Sequence, residues 1–248
     1  IPYSWMKKTS TVLGKLFFNL AKTRRRIIET NIKLCFPDKT DEEKKELSRQ
    51  AFISAIMAVF ETSLAWWGEK DLIPQLHNVE GMEHLEAASK KGKGVILLVS
   101  HFTTMEIAGA FLNSHIDNLK VVYKRSNNEL LEYFIERKRL ENCSGLLKHK
   151  NLRGIVKSIK EGNVVWYAPD QDFATKDSIF APFMGVMTST LLSTQRLAKL
   201  TGAPIVPFYA ARNTDEDSYT IRFSTELENI ANNSELEAAT QVNHAIED

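Results

Sequence analysis

Gly92-Lys93-Gly94-Val95-Ile96-Leu97-Leu98-Val99-Ser100-His101-Phe102-Thr103-Thr104-Met105-Glu106-Ile107-Ala108-Gly109 is the stretch whose reading decides the fold. Residues 95–99 are an unbroken apolar run between glycines and a serine, which suits a strand covered on both faces within a mostly parallel sheet. The polar residues after it read as a turn into a helix. Ligands of such sheets bind beyond the carboxyl ends of the strands, so His101 stands where chemistry is expected. Glu106 follows five residues later. With Thr103 as N-cap, Glu106 falls at the third helical position, and its carboxylate can turn back to meet the imidazole. A carboxylate on one ring nitrogen fixes the tautomer and leaves the other nitrogen to accept a proton. The same four residues also satisfy a capping box, in which Glu106 does no more than bind a backbone amide. Spacing does not separate the two readings.

Working outward, the 248 residues suit one large α/β domain or such a domain with a helical extension. Hydrophobic residues make up 43% and charged residues 25% of the chain, an ordinary globular balance. The net charge is +1, but it is unevenly placed. Eight Lys or Arg face the single Glu29 within residues 1–34, while residues 223–248 hold six Asp or Glu and no Lys or Arg. A basic end of this kind faces something anionic. Cys35 and Cys143 are too few for a disulfide framework or a zinc site, which places the chain in a reducing, cytosol-facing setting.

Residues 5–22 read as a basic amphipathic helix, with Val12, Leu13, Leu16 and Leu20 among Lys7, Lys8, Lys15 and Lys22. Arg24, Arg25 and Arg26 extend the charge, which fits an element lying on anionic lipid or a helix packed on the domain with a solvated lysine face. Pro37-Asp38 is a break. Asp41-Glu42-Glu43 opens a long helix to Trp67. Its apolar run over residues 51–60 is cut by Glu61 and is too short to span a membrane, which takes ~20 apolar residues. Trp66-Trp67 belongs either to a membrane-facing rim or to core packing. Further strands are predicted at residues 79–81, 119–123, 164–168, 205–209 and 219–223, and helices at 82–91, 127–142, 151–160 and 188–201. Two parts are expected, a membrane-proximal helical part over residues 1–70 and an α/β domain over residues 71–248. The fold class is α/β, a mostly parallel central sheet flanked by helices.

Asp170 and Asp172 follow the strand at residues 164–168 and share the crevice with His101 if the two strands are neighbours. Several motifs now combine. His101-Phe-Thr-Thr-Met-Glu106, Val121-Val-Tyr-Lys124, Asn128 with Arg139, Trp166-Tyr-Ala-Pro-Asp170-Gln-Asp172 and Leu197-Ala-Lys-Leu-Thr-Gly-Ala-Pro-Ile-Val-Pro207 together resemble the bacterial lipid A late acyltransferases of the glycerolipid acyltransferase superfamily. Asn31-Ile-Lys-Leu-Cys-Phe-Pro37 extends the likeness, which covers roughly residues 20–225.

The resemblance implies an enzyme at the cytoplasmic face of a bacterial inner membrane, anchored by a segment ahead of Ile1. It would move an acyl chain from acyl carrier protein to a hydroxyl of an acyl chain on a lipid A precursor. It further implies His101 as general base, Glu106 as the group that orients it, and Lys124, Arg139, Asp170 and Asp172 as substrate-binding residues. Neither a metal nor a cofactor is implied beyond the acyl carrier protein co-substrate, and nucleic acid is not a partner. Lys148, Lys150, Arg153, Lys157 and Lys160 are candidates for docking the acidic carrier. Two other readings stand beside this one. In the first, Asp170-x-Asp172 holds the metal of a glycosyltransferase. In the second, the chain is a membrane-surface module in which His101 and Glu106 only cap a helix.

Overall fold

The computed structural model describes residues 3–171, 177–213 and 215–247. Three helices come first: α1 (Tyr3–Leu20), α2 (Lys22–Cys35) and α3 (Asp41–Trp67). A single 3-10 turn leads into β1 (His77–Glu80) and α4 (Met82–Ser89). The decisive stretch then forms β2 (Val95–Leu98) and α5 (Met105–Leu112). After it come β3 (Leu119–Tyr123), α6 (Glu129–Leu140), β4 (Gly145–Lys148), α7 (Leu152–Lys160) and β5 (Val164–Tyr167). The chain continues with β6 (Ser178–Phe183), β7 (Val186–Leu191), α8 (Ser193–Thr201), β8 (Ile205–Asn213), β9 (Ser218–Phe223) and α9 (Glu235–Glu247).

Seven strands make the central sheet in the order β1-β9-β8-β2-β5-β3-β4, parallel throughout except for the antiparallel β8–β9 pair. The α/β class with a mostly parallel sheet and a helical N-terminal part is therefore what the chain adopts. β2 lies at the centre and is buried on both faces, as its unbroken apolar run demands. Ile96 and Leu98 pack with Ile155, Ile159 and Leu197 on one face, while Leu97 and Val99 pack with Phe111, Trp166 and Phe208 on the other. Gly94 enters the strand at φ 69°, and a Cβ there would stand 2.1 Å from the Ile159 carbonyl oxygen, so only glycine fits that approach.

The first three helices build a platform beside the sheet. Thr40 and Glu43 form a full capping box at the start of α3, matching the acidic first turn read from the sequence. Met6, Ser10, Gly14 and Phe18, four residues apart, form the buried face of α1, which packs on α3 with Gly14 against Ile53. The opposite side of α1 leaves Trp5, Val12, Leu16 and Leu20 exposed. α1 is thus both a packed helix and a carrier of a free apolar stripe. Among the described residues, no helix is long and apolar enough to cross a membrane.

Several elements depart from the sequence reading. The helix expected over residues 188–201 begins only at Ser193, because residues 186–191 pair with β6 in a separate antiparallel hairpin. Its two-residue turn puts Met184 at φ 49° and Gly185 at φ 75°, the geometry of a tight hairpin turn without the Asn-Gly signature that would have revealed it. β4 is a four-residue edge strand with too little pattern to be seen. Helices α2 and α9 were not anticipated as separate elements.

Candidate active site

Sheet register explains which side chains meet. β2 and β5 are parallel neighbours, with Leu98 opposite Tyr167. Three residues further along each strand lie His101 and Asp170, so the register alone brings them to the same point beyond the carboxyl ends. His101 Nδ1 lies 2.7 Å from Asp170 Oδ1, and the His101 backbone N–H donates to Asp170 Oδ2 at 2.9 Å. A carboxylate only accepts, so Nδ1 carries the proton of this bond and Nε2 is left as the acceptor nitrogen. Burial works to raise the Asp170 carboxyl pKa, but the side-chain and backbone bonds from His101 outweigh it and hold the group below its ordinary value.

Glu106 is placed differently from the sequence expectation. Arg139 binds it through Nε, at 3.3 Å from Oε2, and through Nη2 to Oε1 in a closer contact, while the Trp66 indole N–H donates to Oε2 at 3.1 Å. The carboxylate that meets the imidazole is therefore Asp170, and Glu106 sits one layer away on α5. The capping box is not formed either. α5 starts at Met105 with Thr104 as N-cap and no side-chain cap bond. The Thr104 hydroxyl instead donates to the Ala210 carbonyl at 2.7 Å. Thr103 Oγ1 lies 2.7 Å from Ser54 Oγ and accepts from Arg212 Nη2 at 3.1 Å. Both hydroxyls are directed at partners across the fold and not at the first turn of α5.

Those contacts belong to a network that sequence reasoning missed. Arg212 Nε and Nη2 donate to Glu61 at 2.5 and 2.7 Å, its Nη1 donates to Ser54 at 2.6 Å, and the Tyr219 hydroxyl donates to Glu61 at 2.8 Å. Glu61 is fully buried on the inner face of α3. The one available signal was the carboxylate itself, interrupting an apolar run where a buried charge must find a cation. The network ties α3 and β8 to the turn that follows His101.

Beside His101 opens a cavity of about 230 Å³. Leu119, Val121, Trp166, Met105 and Cys143 give it an apolar wall, and Gly109 leaves space there that a side chain would fill. Glu106, Arg139 and Lys124 add charge at its edge. The structure thus brings His101, Glu106, Lys124 and Arg139 to one cavity, with Asp170 bonded to its histidine. Asp172 lies outside the described residues. Asn128, part of the sequence motif, caps α6 by accepting from the Leu131 N–H at 3.0 Å. Of the tryptophan pair, Trp66 reaches Glu106 and Trp67 is exposed. The basic cluster is divided. Lys148 pairs in register with Tyr123 at the carboxyl end of the sheet, whereas α7 runs away from that end and its last turn, with Lys157 and Lys160, approaches the start of β2 at Gly94.

A histidine held by a carboxylate at the rim of an apolar cavity suits proton transfer to or from a substrate with a hydrocarbon part. Comparison with known proteins gives the same direction. The family described as bacterial lipid A biosynthesis acyltransferase matches residues 1–248. The chain is 32% identical over 222 residues to the lipid A biosynthesis lauroyltransferase of Escherichia coli K12, covering 89% of this chain and 72% of that protein. It is also 32% identical over 248 residues to the palmitoleoyltransferase of the same organism, covering all of this chain and 80% of the relative. A more distant relative, the myristoyltransferase of that organism, is 24% identical over 238 residues, 95% of this chain and 73% of its own length. With the family matched end to end and these identities behind it, the chain belongs to the bacterial lipid A biosynthesis acyltransferases.

Proposed function

We propose that the protein transfers an acyl chain from acyl carrier protein to the hydroxyl of an acyl chain already on a lipid A precursor, with His101 as general base. The observation that carries this reading is the pairing of His101 Nδ1 with Asp170, 2.7 Å apart, at the rim of the apolar cavity. Nε2 takes the proton of the acceptor hydroxyl as its oxygen attacks the thioester carbonyl carbon. The tetrahedral intermediate then expels the carrier thiolate, and the imidazolium returns the proton to that sulfur. Asp170 stabilises the imidazolium between the two steps, a contribution of roughly 100- to 10,000-fold for the base as a whole. A hydroxyl nucleophile from the substrate makes an acyl-enzyme unnecessary. Both cysteine thiols have pKa values pushed up by burial, the opposite of an activated nucleophile.

The donor chain occupies the cavity, where Trp166, Leu119 and Val121 supply apolar wall. Arg139 serves by fixing Glu106 inside this wall, since two of its donors are committed to that carboxylate. Lys124, exposed just beyond β3 and lining the cavity, is a cation for an acceptor phosphate. Acidic carrier protein docks near Lys148 and Lys150, which share the cavity's end of the sheet, rather than on Lys157 and Lys160. The basic α1 and α2, with the free stripe of Trp5, Val12, Leu16 and Leu20, hold the protein at the cytoplasmic face of the inner membrane.

The test is to incubate the protein with radiolabelled acyl carrier protein thioester and a lipid A precursor, then locate the added chain by mass spectrometry. Label in the lipid supports the reading. Label recovered only as unreacted thioester, or only as free acid, overturns it.

A further inference from the structure

Helix α6 is amphipathic the wrong way round for a helix on a water-soluble surface. Its buried face is polar: Glu132 is 4% exposed, accepts from the Tyr123 hydroxyl at 2.9 Å and the Ser126 N–H at 2.7 Å, and Arg139, two turns on, is held by Glu106. Its outer face presents an apolar cluster, with Glu129, Glu136 and Arg137 exposed beside it. Leu130 is 69% exposed, Tyr133 55%, Leu131 48% and Phe134 41%. A helix pinned to its domain by polar bonds gains nothing in water from displaying leucine and phenylalanine, and adjoining exposed side chains of this kind mark an interaction surface.

We propose that the outer face of α6 inserts into the interface of a lipid bilayer. The composition around the apolar centre favours lipid over a protein partner. Arg137 donates to the Tyr133 hydroxyl at 3.0 Å, and Arg125, 3.8 Å from Glu132, precedes the helix with its side chain 59% exposed, so these two cations offset the exposed Glu129 and Glu136; Lys138, bound to Glu141, lies 5.9 Å from the surface ring of Trp67. Long cations and polar-tipped aromatics around leucine and phenylalanine are the pattern of an element lying in the headgroup region, with cations meeting phosphates and apolar side chains below them. The free stripe of α1, flanked by Lys8 and Lys15, repeats that chemistry on another element. The end of α6 lines the cavity through Arg139 and Asn142, so insertion sets the cavity at the interface; this consequence rests on the acyl-transfer reading.

The test uses the whole protein and vesicles of equal parts phosphatidylethanolamine and phosphatidylglycerol. Leu130→Asn combined with Phe134→Asn lowers the partition coefficient in flotation by at least roughly tenfold, with the thermal unfolding curve kept. In Phe134→Trp, the added indole emission shifts to the blue on vesicles and is quenched by brominated acyl chains; this variant decides the matter alone if the double variant fails to fold. Unchanged partition of a folded double variant, or an introduced indole that stays solvent-like, overturns the proposal. So does a concentration-dependent dimer that the double substitution dissolves, which would give the face to a second copy. Vesicle binding is read without substrate. A protein that inserts α6 but moves no acyl chain keeps this inference and loses the transfer reading, and one that transfers acyl chains without inserting α6 does the reverse.

Discussion

Two carboxylate pairs stand at the cavity, and they differ in how the chain brings them together. Glu106 is five residues from His101, yet it turns to Arg139 and Trp66. Asp170 is sixty-nine residues away, yet it holds His101 through two bonds, one to the imidazole and one from the backbone N–H. Closeness in sequence counted for less than strand register, because parallel neighbours β2 and β5 end level with one another while the first turn of α5, which begins at Met105, carries Glu106 to Arg139 and Trp66. On the proposed reading the difference is a division of labour: Asp170 would set the state of the base, and Glu106 with Arg139 would shape the wall beside it.

The largest effect expected is from His101→Ala, which removes the base in either version of the comparison. Acyl transfer falls toward the upper end of the 100- to 10,000-fold range in kcat, read with carrier thioester and lipid acceptor, while vesicle binding stays. Retained turnover would return His101 to a loop role and leave both carboxylates without a catalytic partner.

Asp170→Asn against Glu106→Gln breaks the comparison directly. Losing Asp170 removes the group that fixes the tautomer and supports the imidazolium, so kcat falls by about 100-fold or more and the pH profile of kcat changes shape. Glu106→Gln leaves the imidazole contacts as they are. Turnover then falls by about tenfold through displacement of Arg139, KM for the donor rises, and the pH profile keeps its form. The opposite assignment, a changed profile only in Glu106→Gln, would put Glu106 back on the imidazole.

Glu106→Ala sharpens the structural half. It strands the Arg139 guanidinium, whose side chain is 21% exposed, at a cost of about 1–3 kcal/mol, measured as a lowered denaturant midpoint at unchanged m-value. Glu106→Ala together with Arg139→Met recovers part of that loss, since an apolar side chain suits this wall. Equal losses in the single and double variants would show that the pair does not hold the wall.

Much of this was legible in residues 92–109, where an apolar run preceded by two glycines and followed by a serine pointed to the central strand, and its polar exit to the position of the histidine. The sheet class, β3 and α3 could be read for the same reason, each being a run of clear period with a recognisable start or stop. Which carboxylate meets His101 could not, because strand order is a property of tertiary packing, and the sequence carried only the condition that the strands before His101 and Asp170 be neighbours. The hairpin β6–β7 escaped because its turn uses Met184-Gly185. Arg212 escaped because its partner Glu61 lies on another element and no spacing links them.

The smallest effect is on stability in acid, and its sign follows from the Asp170 shift. The bonds from His101 hold the folded carboxyl below its ordinary pKa of 3.8, so the folded state favours the ionised form more than the unfolded chain does. The resulting stabilisation is complete above the unfolded value and is lost as pH falls through the folded value. Wild type therefore melts above Asp170→Asn by a margin that is constant at about pH 5 and higher, with each kcal/mol of difference worth about 2–4 °C for a chain of this size. Below pH 3.8 the margin closes. Glu106→Gln, measured alongside, separates the two carboxylates: a gap to Asp170→Asn that persists unchanged into acid would mean that the bond to His101 does not favour ionised Asp170, and the division of labour between the two pairs would lose its electrostatic basis.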